Sequence, residues 1–331
     1  MQLKTLCSGA ALWLALTAQA GAVQPESADH WLQRLQDAQG TKGTQGYQGA
    51  FVYERKGVFS THQIWRQIDS QGRVSERFLQ LNGPAHEVMR VDGRVTCISS
   101  AVAGELPAVD VWPTDALELE NLQQWYQVRV LGESRVAGHK VAVLLFSPRD
   151  QYRYPVELSV DQATAIPLKS LLLNEQGQLL ERLQFVQFQA LAQQQSAQLE
   201  QALLTPSSAC LPVTAIDDAA DSDVESAWHV DWVPPGFTLL NSHSRQPSMT
   251  EGYMLSQVYS DGLAHFSVFL ERINGLEIEG ARRQIGPTAV VSKKIMQGAE
   301  ALMVTVVGEI PLASAERVTL SVHTEMESND D

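Results

Sequence analysis

Very little in this 331-residue chain is equipped for covalent chemistry. It has three cysteines, and Cys7 falls inside the leader described below. The other two, Cys97 and Cys210, are too few for a disulfide scaffold and enough for one bridge in an oxidising compartment. Their separation in space is open at this point. The Gly-x-Ser-x-Gly elbow, the His-Glu-x-x-His zinc helix and the phosphate-binding glycine loop are all missing. The eight histidines are scattered. His229 and Asp231 stand two apart with no third ligand nearby in the sequence, so no metal is expected. His62 and His86 read as surface residues. Positive charge is also scarce: 24 Lys and Arg face 38 Asp and Glu, a formal charge of −14. Such a balance excludes nucleic acid as the expected partner, because phosphate contacts need clustered cations. A non-enzymatic binding protein without cofactors is the expectation.

Long apolar runs are missing too, save one. Lys4 precedes the apolar stretch Leu6 to Ala18, and Ala18-Gln-Ala20 and Ala20-Gly-Ala22 supply small residues for cleavage. A positive start, a short apolar run and a small-residue exit define a secretory signal over 1–22. The run is shorter than the roughly 20 residues that a bilayer crossing needs. About 310 residues then remain, enough for two domains by length.

What is present is alternation. One helix comes first, with Ser27 as N-cap and Trp31, Leu32, Leu35 and Ala38 on one face. From Tyr47 onward the period becomes two. Strands are expected over 47–53, 58–68, 74–81, 87–91 and 95–98, with turns at Lys56-Gly57, Asp69 to Gly72, Asn82-Gly83 and Asp92-Gly93. A loop with one or two short helices should occupy 101–126. Strands resume over 127–131, 140–146, 152–160, 167–173 and 180–189. The fold class is therefore mainly β (α+β): a large curved antiparallel sheet or open barrel, with helical matter inserted in its middle, over 23–190. A Gln/Ala stretch and then an acidic, Pro/Ser-containing one mark a linker over 191–227. A smaller antiparallel domain follows over 228–323. Its landmarks are the Pro234-Pro-Gly-Phe237 turn, a hairpin at Ser260-Asp-Gly262, strands over 252–259, 264–272, 289–295 and 301–308, and a final helix opened by Pro311. The tail, 324–331, should be disordered.

Five stretches, taken in order, resemble one family. They are Leu81-Asn-Gly-Pro-Ala-His-Glu-Val88, Trp232-Val-Pro-Pro-Gly-Phe237, Val258-Tyr-Ser-Asp-Gly-Leu263, Phe266-Ser-Val268 and Val306-Val-Gly-Glu-Ile-Pro311. Together with the leader and early helix they resemble the RseB/MucB family of periplasmic regulators of the envelope-stress sigma factor, from about Glu26 to Val322. The resemblance implies that the large domain is a half-open antiparallel β-barrel with covering helices, similar to the LolA/LolB lipoprotein carriers. It also implies a partner, the periplasmic segment of a membrane-spanning anti-sigma factor, shielded from regulated proteolysis until a lipid, lipopolysaccharide or lipoprotein acyl group releases the shield. A lipoprotein carrier of the LolA type is the competing reading. No catalytic residues carry over. Candidates for a lipid cavity are Trp65, Met89, Trp112, Trp125 and Phe185, and core packing is the alternative for each. Candidates for anti-sigma contact are Trp232, Pro235, Phe237, Tyr259 and Arg272. A twofold homodimer is the simplest oligomer to expect.

Overall fold

The computed structural model describes residues 27–39, 46–69, 71–83, 86–99, 119–191, 210–212, 228–245, 254–273, 280–297 and 300–324. The leader and the polar tail beyond 324 lie outside them, as do Trp112 and most of the stretch 191–227 read as a linker.

Helix α1 spans Ala28–Gln39, and the Ser27 hydroxyl accepts the His30 N–H at 3.2 Å, the N-cap expected from sequence. Eleven strands then form one antiparallel sheet. In chain order they are β1 Tyr47–Arg55, β2 Val58–Ile68, β3 Val74–Gln80, β4 Glu87–Val91, β5 Arg94–Ser99, β6 Tyr126–Val136, β7 His139–Pro148, β8 Val156–Asp161, β9 Pro167–Leu173, β10 Leu179–Ala190 and β11 Cys210–Pro212. Helix α2, Leu119–Trp125, enters between β5 and β6. The spatial order is β11-β5-β4-β3-β2-β1-β10-β9-β8-β7-β6, so the sheet curves but stays open, with β11 and β6 at its edges. Tight hairpins set the register. At Lys56-Gly57 and Asp92-Gly93 both central residues have positive φ, the twist that a two-residue hairpin needs.

Two apolar clusters build the core of this unit. Trp31, Leu32 and Leu35 of α1 and Leu122 of α2 pack on Leu144, Phe146, Leu158 and Val160. Tyr47, Phe51, Ile64, Leu183, Phe185 and Phe188 form the other cluster along β1, β2 and β10.

A second, six-stranded antiparallel sheet has the order β13-β14-β15-β18-β17-β16. Its strands are β13 Thr238–Arg245, β14 Met254–Ser260, β15 His265–Arg272, β16 Arg282–Ile285, β17 Thr288–Gln297 and β18 Glu300–Gly308. Helix α3, Leu312–Leu320, follows Pro311 and buries Ala315 and Val318 against the sheet. A separate two-stranded ribbon pairs β12, Trp228–Val230, with β19, Val322–Thr324.

Several differences from the sequence expectation have simple causes. Segment 191–227 was expected to run as a linker, yet Cys210–Pro212 adds a strand to the β5 edge. An open edge leaves backbone groups to be paired, and three residues suffice to pair them locally. Strand β6 is twice the expected length because Ala137-Gly138, unnoticed as a turn, folds it back on β7. Strands β13 and β16 were missed because Asn, Ser, His, Arg and Gln give them no alternation.

Candidate functional site

The two sheets meet along a seam built around one buried cation. Arg153 lies in the bend between β7 and β8, and its side chain is fully buried. Nη1 donates to Asp261 Oδ2 at 2.6 Å. Nε and Nη2 grip Asp150 at 3.2 and 3.0 Å, and Nη2 also donates to the Pro235 carbonyl. The guanidinium plane lies over three rings, Phe237 at 5.1 Å, Tyr126 at 5.4 Å and Trp125 at 5.5 Å. A buried arginine needs this many partners, because an unpaired charge inside a protein costs several kcal/mol, on the order of 3–5.

Asp261 belongs to the other sheet, in the turn between β14 and β15. Its Oδ1 accepts the N–H groups of Leu263 and Ala264, at 2.9 and 2.8 Å, so the turn itself aims the carboxylate. The Tyr126 hydroxyl donates to Oδ2 at 2.9 Å. Burial, and then the charge of Asp261, hold that phenol well above its ordinary pKa, so it stays a donor. Leu263, from the same turn, packs into the apolar cluster under α1 and α2.

The Pro234 to Phe237 turn closes the socket. Phe237 N–H bonds back to the Pro234 carbonyl at 3.1 Å, and Gly236 has φ +86°. Proline at the second position and positive φ at the third are the requirements of a type II turn. Gly236 also lies against the Trp125 ring, where a Cβ would come within 2.2 Å of Cδ1. Asn121 of α2 donates to the Gly236 carbonyl at 2.9 Å.

Beside the socket, α3 docks on the same bend. Arg317 donates to the Tyr152 hydroxyl at 2.9 Å, and its guanidinium lies 3.9 Å from the centre of the Trp232 ring. Trp232 meets Tyr152 edge-on at 5.2 Å. Ser314 donates to the Tyr152 carbonyl at 3.3 Å.

The residues singled out from sequence fall in different parts of the structure. Trp232, Pro235 and Phe237 belong to the seam. Tyr259 stacks on Phe266 at 5.1 Å inside the small core, its hydroxyl bonded to Gln257 at 2.7 Å. Only Arg272, at the end of β15, is placed outward among these five apart from Pro235. The four described lipid candidates do not share a wall. Phe185 is fully buried against Phe51 and Phe188, each 5.6 Å away. Trp65 and Met89 lie on the opposite face, in a row running Trp65, Arg77, Met89, Cys97 across four paired strands. Trp125 is at the seam. The physical reason is parity: odd and even residues of a strand face opposite ways, and Trp65 is one step out of phase with the Ile64 face. Cys97 is disulfide-bonded, and β11, which starts at Cys210, runs beside its strand.

His229, Asp231 and His323 come together across the ribbon, with contacts of 2.9 and 3.3 Å to the two carboxylate oxygens. Sequence could not supply His323, which is the direct cross-strand partner of His229. Among the described residues no three such side chains are arranged to hold a metal.

Both halves of this architecture match known protein families. The MucB/RseB N-terminal domain model matches residues 27–203, and the MucB/RseB C-terminal domain model matches 222–323. This chain belongs to the MucB/RseB family. It is similar to the sigma factor AlgU regulatory protein MucB of Pseudomonas aeruginosa, 47% identical over 304 residues that cover 92% of this chain and 93% of that protein. The sigma-E factor regulatory protein RseB of Escherichia coli is 26% identical over 284 residues, 83% of this chain and 85% of RseB. A solved complex of Pseudomonas aeruginosa MucA and MucB contains a chain that matches with a TM-score of 0.72 at 46% identity, covering 90% of this chain and 99% of that one. Seen in this family, the two sheets are the two matched halves, and the seam is their junction.

Proposed function

We propose that this chain is a periplasmic repressor that binds the periplasmic segment of an anti-sigma factor of the MucA type, keeps that segment from regulated proteolysis, and so holds an envelope-stress sigma factor off. The observation that carries this reading is the near-complete match to MucB, in sequence and in the fold of a chain solved together with MucA. Export is part of the proposal and rests on the leader, Lys4 and Leu6 to Ala18. Among the described residues no helix is long and apolar enough to cross a membrane.

The mechanism needs no catalytic group. A protease acts on an extended, accessible chain. A partner that orders the chain lowers its open population by a factor of one plus the ratio of partner concentration to Kd, so the effect grows exponentially with the binding free energy. Release by a lipid or lipoprotein acyl group is the second part of the proposal, and it requires the lipid to favour the unbound form of this protein.

The test is direct. The MucA-type periplasmic segment, made as a soluble fragment, is offered to the purified mature chain and then to its protease. Tight binding and slower cleavage are expected. Equal cleavage rates with and without this chain would rule out the shielding role. Transfer of a lipoprotein between membranes without any binding of the segment would favour the carrier reading instead.

A further inference from the structure

Another polar contact crosses the seam at Arg55, and it has one charge too many. Arg55 ends β1 in the large sheet. Its Nε lies 3.2 Å from Glu181 Oε2, on the neighbouring strand β10, where the two residues are register partners. Its Nη2 reaches across the seam to Glu309 Oε1 at 3.4 Å and to the Thr288 hydroxyl, both in the other sheet's unit. The Tyr53 hydroxyl donates to Glu181 Oε2 at 2.6 Å. Two carboxylates, one from each half of the molecule, thus share a single guanidinium in a largely enclosed space.

We propose that Arg55, Glu181 and Glu309 form a proton-operated latch between the two halves: a proton taken up at Glu181 tightens the seam, and its release loosens it. The groups that bear on Glu181 are few. Tyr53 and Arg55 face it from β1, Glu309 faces it from the loop after β18, and its partner on β9, Leu172, is uncharged. Burial and then the charge of Glu309 raise the Glu181 carboxyl to about 7, against the lowering effect of Tyr53 and Arg55. Near neutral pH the group is therefore poised. With Glu181 neutral, Arg55 and Glu309 make one balanced ion pair across the seam. With Glu181 ionised, two like charges crowd one cation.

The sign follows from linkage. The closed seam binds a proton more tightly than an open one in which Glu309 has moved away. Closing is favoured below the raised pKa, and that advantage is lost as pH rises through it. If an open seam returned Glu181 to its ordinary range, closing would be favoured by up to about tenfold on going from about pH 8 to about pH 6. Burial that persists within the large sheet makes the true factor smaller.

The experiment uses the mature full-length chain with 13C-labelled glutamate side chains, titrated by NMR. Glu181→Gln assigns the resonance. One carboxyl is expected to titrate near neutrality, and Glu309→Gln, a neutral isostere on a partly exposed residue, should move its midpoint down. Small-angle scattering of the parent should show a tighter chain at about pH 6 than at about pH 8, and Glu181→Gln, which mimics the protonated state, should lose that dependence; a parent that shows none would overturn the latch. A Glu181 midpoint in the ordinary carboxylate range would overturn the latch. So would a midpoint that ignores Glu309→Gln, since the two carboxylates would then not be coupled across the seam. Neither result would touch anti-sigma binding, which is measured separately.

Discussion

Arg153 and Asp261 stand 108 residues apart in the chain and 2.6 Å apart in the fold, and the pair joins the two sheets through a fully buried charge. Removing Arg153 strands Asp261, whereas removing Asp261 leaves Arg153 its ion pair with Asp150. Arg153→Ala is expected to cost about 3–5 kcal/mol, because Asp261 would remain buried without its cation. Asp261→Ala should cost less, because Asp150 still pairs Arg153, and the double variant should cost less than the sum. Urea unfolding of the four species gives the coupling directly. Additive losses would mean that the pair does not hold the seam.

Gly236 is the second point of leverage. Gly236→Ala meets two penalties, an unfavourable φ of +86° and a methyl driven into the Trp125 ring. We expect a loss of about 2 kcal/mol or more. Trp125→Ala in the same chain should relieve the clash but not the backbone strain. The combined loss in thermal or urea unfolding should therefore fall short of the sum of the single losses.

His62 gives a pH signature of opposite sign to that of Glu181. Its ring stacks on Phe51 at 5.1 Å and bonds to the Ser60 hydroxyl at 2.7 Å. Burial, and then the charge of His86, lower its pKa from 6.5 to about 4. The folded chain keeps it neutral while the unfolded chain would protonate it. Stability is present above 6.5 and is lost as pH falls toward about 4. Urea unfolding of His62→Gln should accordingly show a shallower loss between those limits than the parent. An unchanged slope would refute the assignment.

The bridge at Cys97 is testable by mass. Peptide mapping without reductant should join the peptide holding Cys97 to the one holding Cys210. Cys210→Ser should then leave Cys97 free to react with a thiol reagent. A Cys97 peptide that is already free in the oxidised parent would contradict it.

Much of the fold was legible because its signals are local. Alternation marked most strands of the large sheet, Ser27 marked α1, and Pro311 with Leu312, Ala315 and Val318 marked α3. What failed was anything settled at a distance. Thr238–Arg245 and Arg282–Ile285 are strands only because β14 and β17 pair with them. Trp232, Pro235 and Phe237 were conspicuous in the sequence, and an aromatic and proline stretch reads as a binding surface. In the fold the Trp232 ring, the Pro235 carbonyl and the Phe237 ring touch the other half, which the sequence did not announce. Arg153 sits between Tyr152 and Tyr154 in a stretch that alternation places in a strand over 152–160, whereas β8 starts at Val156 and Arg153 lies in the bend before it. No spacing announces a partner in another sheet. Glu181 and Glu309 look ordinary for the same reason. Their coupling exists only after both sheets have formed.

The ribbon of β12 and β19 has a topological consequence. It pairs Trp228, where the chain enters the small unit, with Thr324, where it leaves. Entry and exit are thus neighbours, and the small unit is a near-closed loop of chain. Joining those two points by a short connector and opening the turn at Gly286 would give a circular permutant of that half with its sheet order intact.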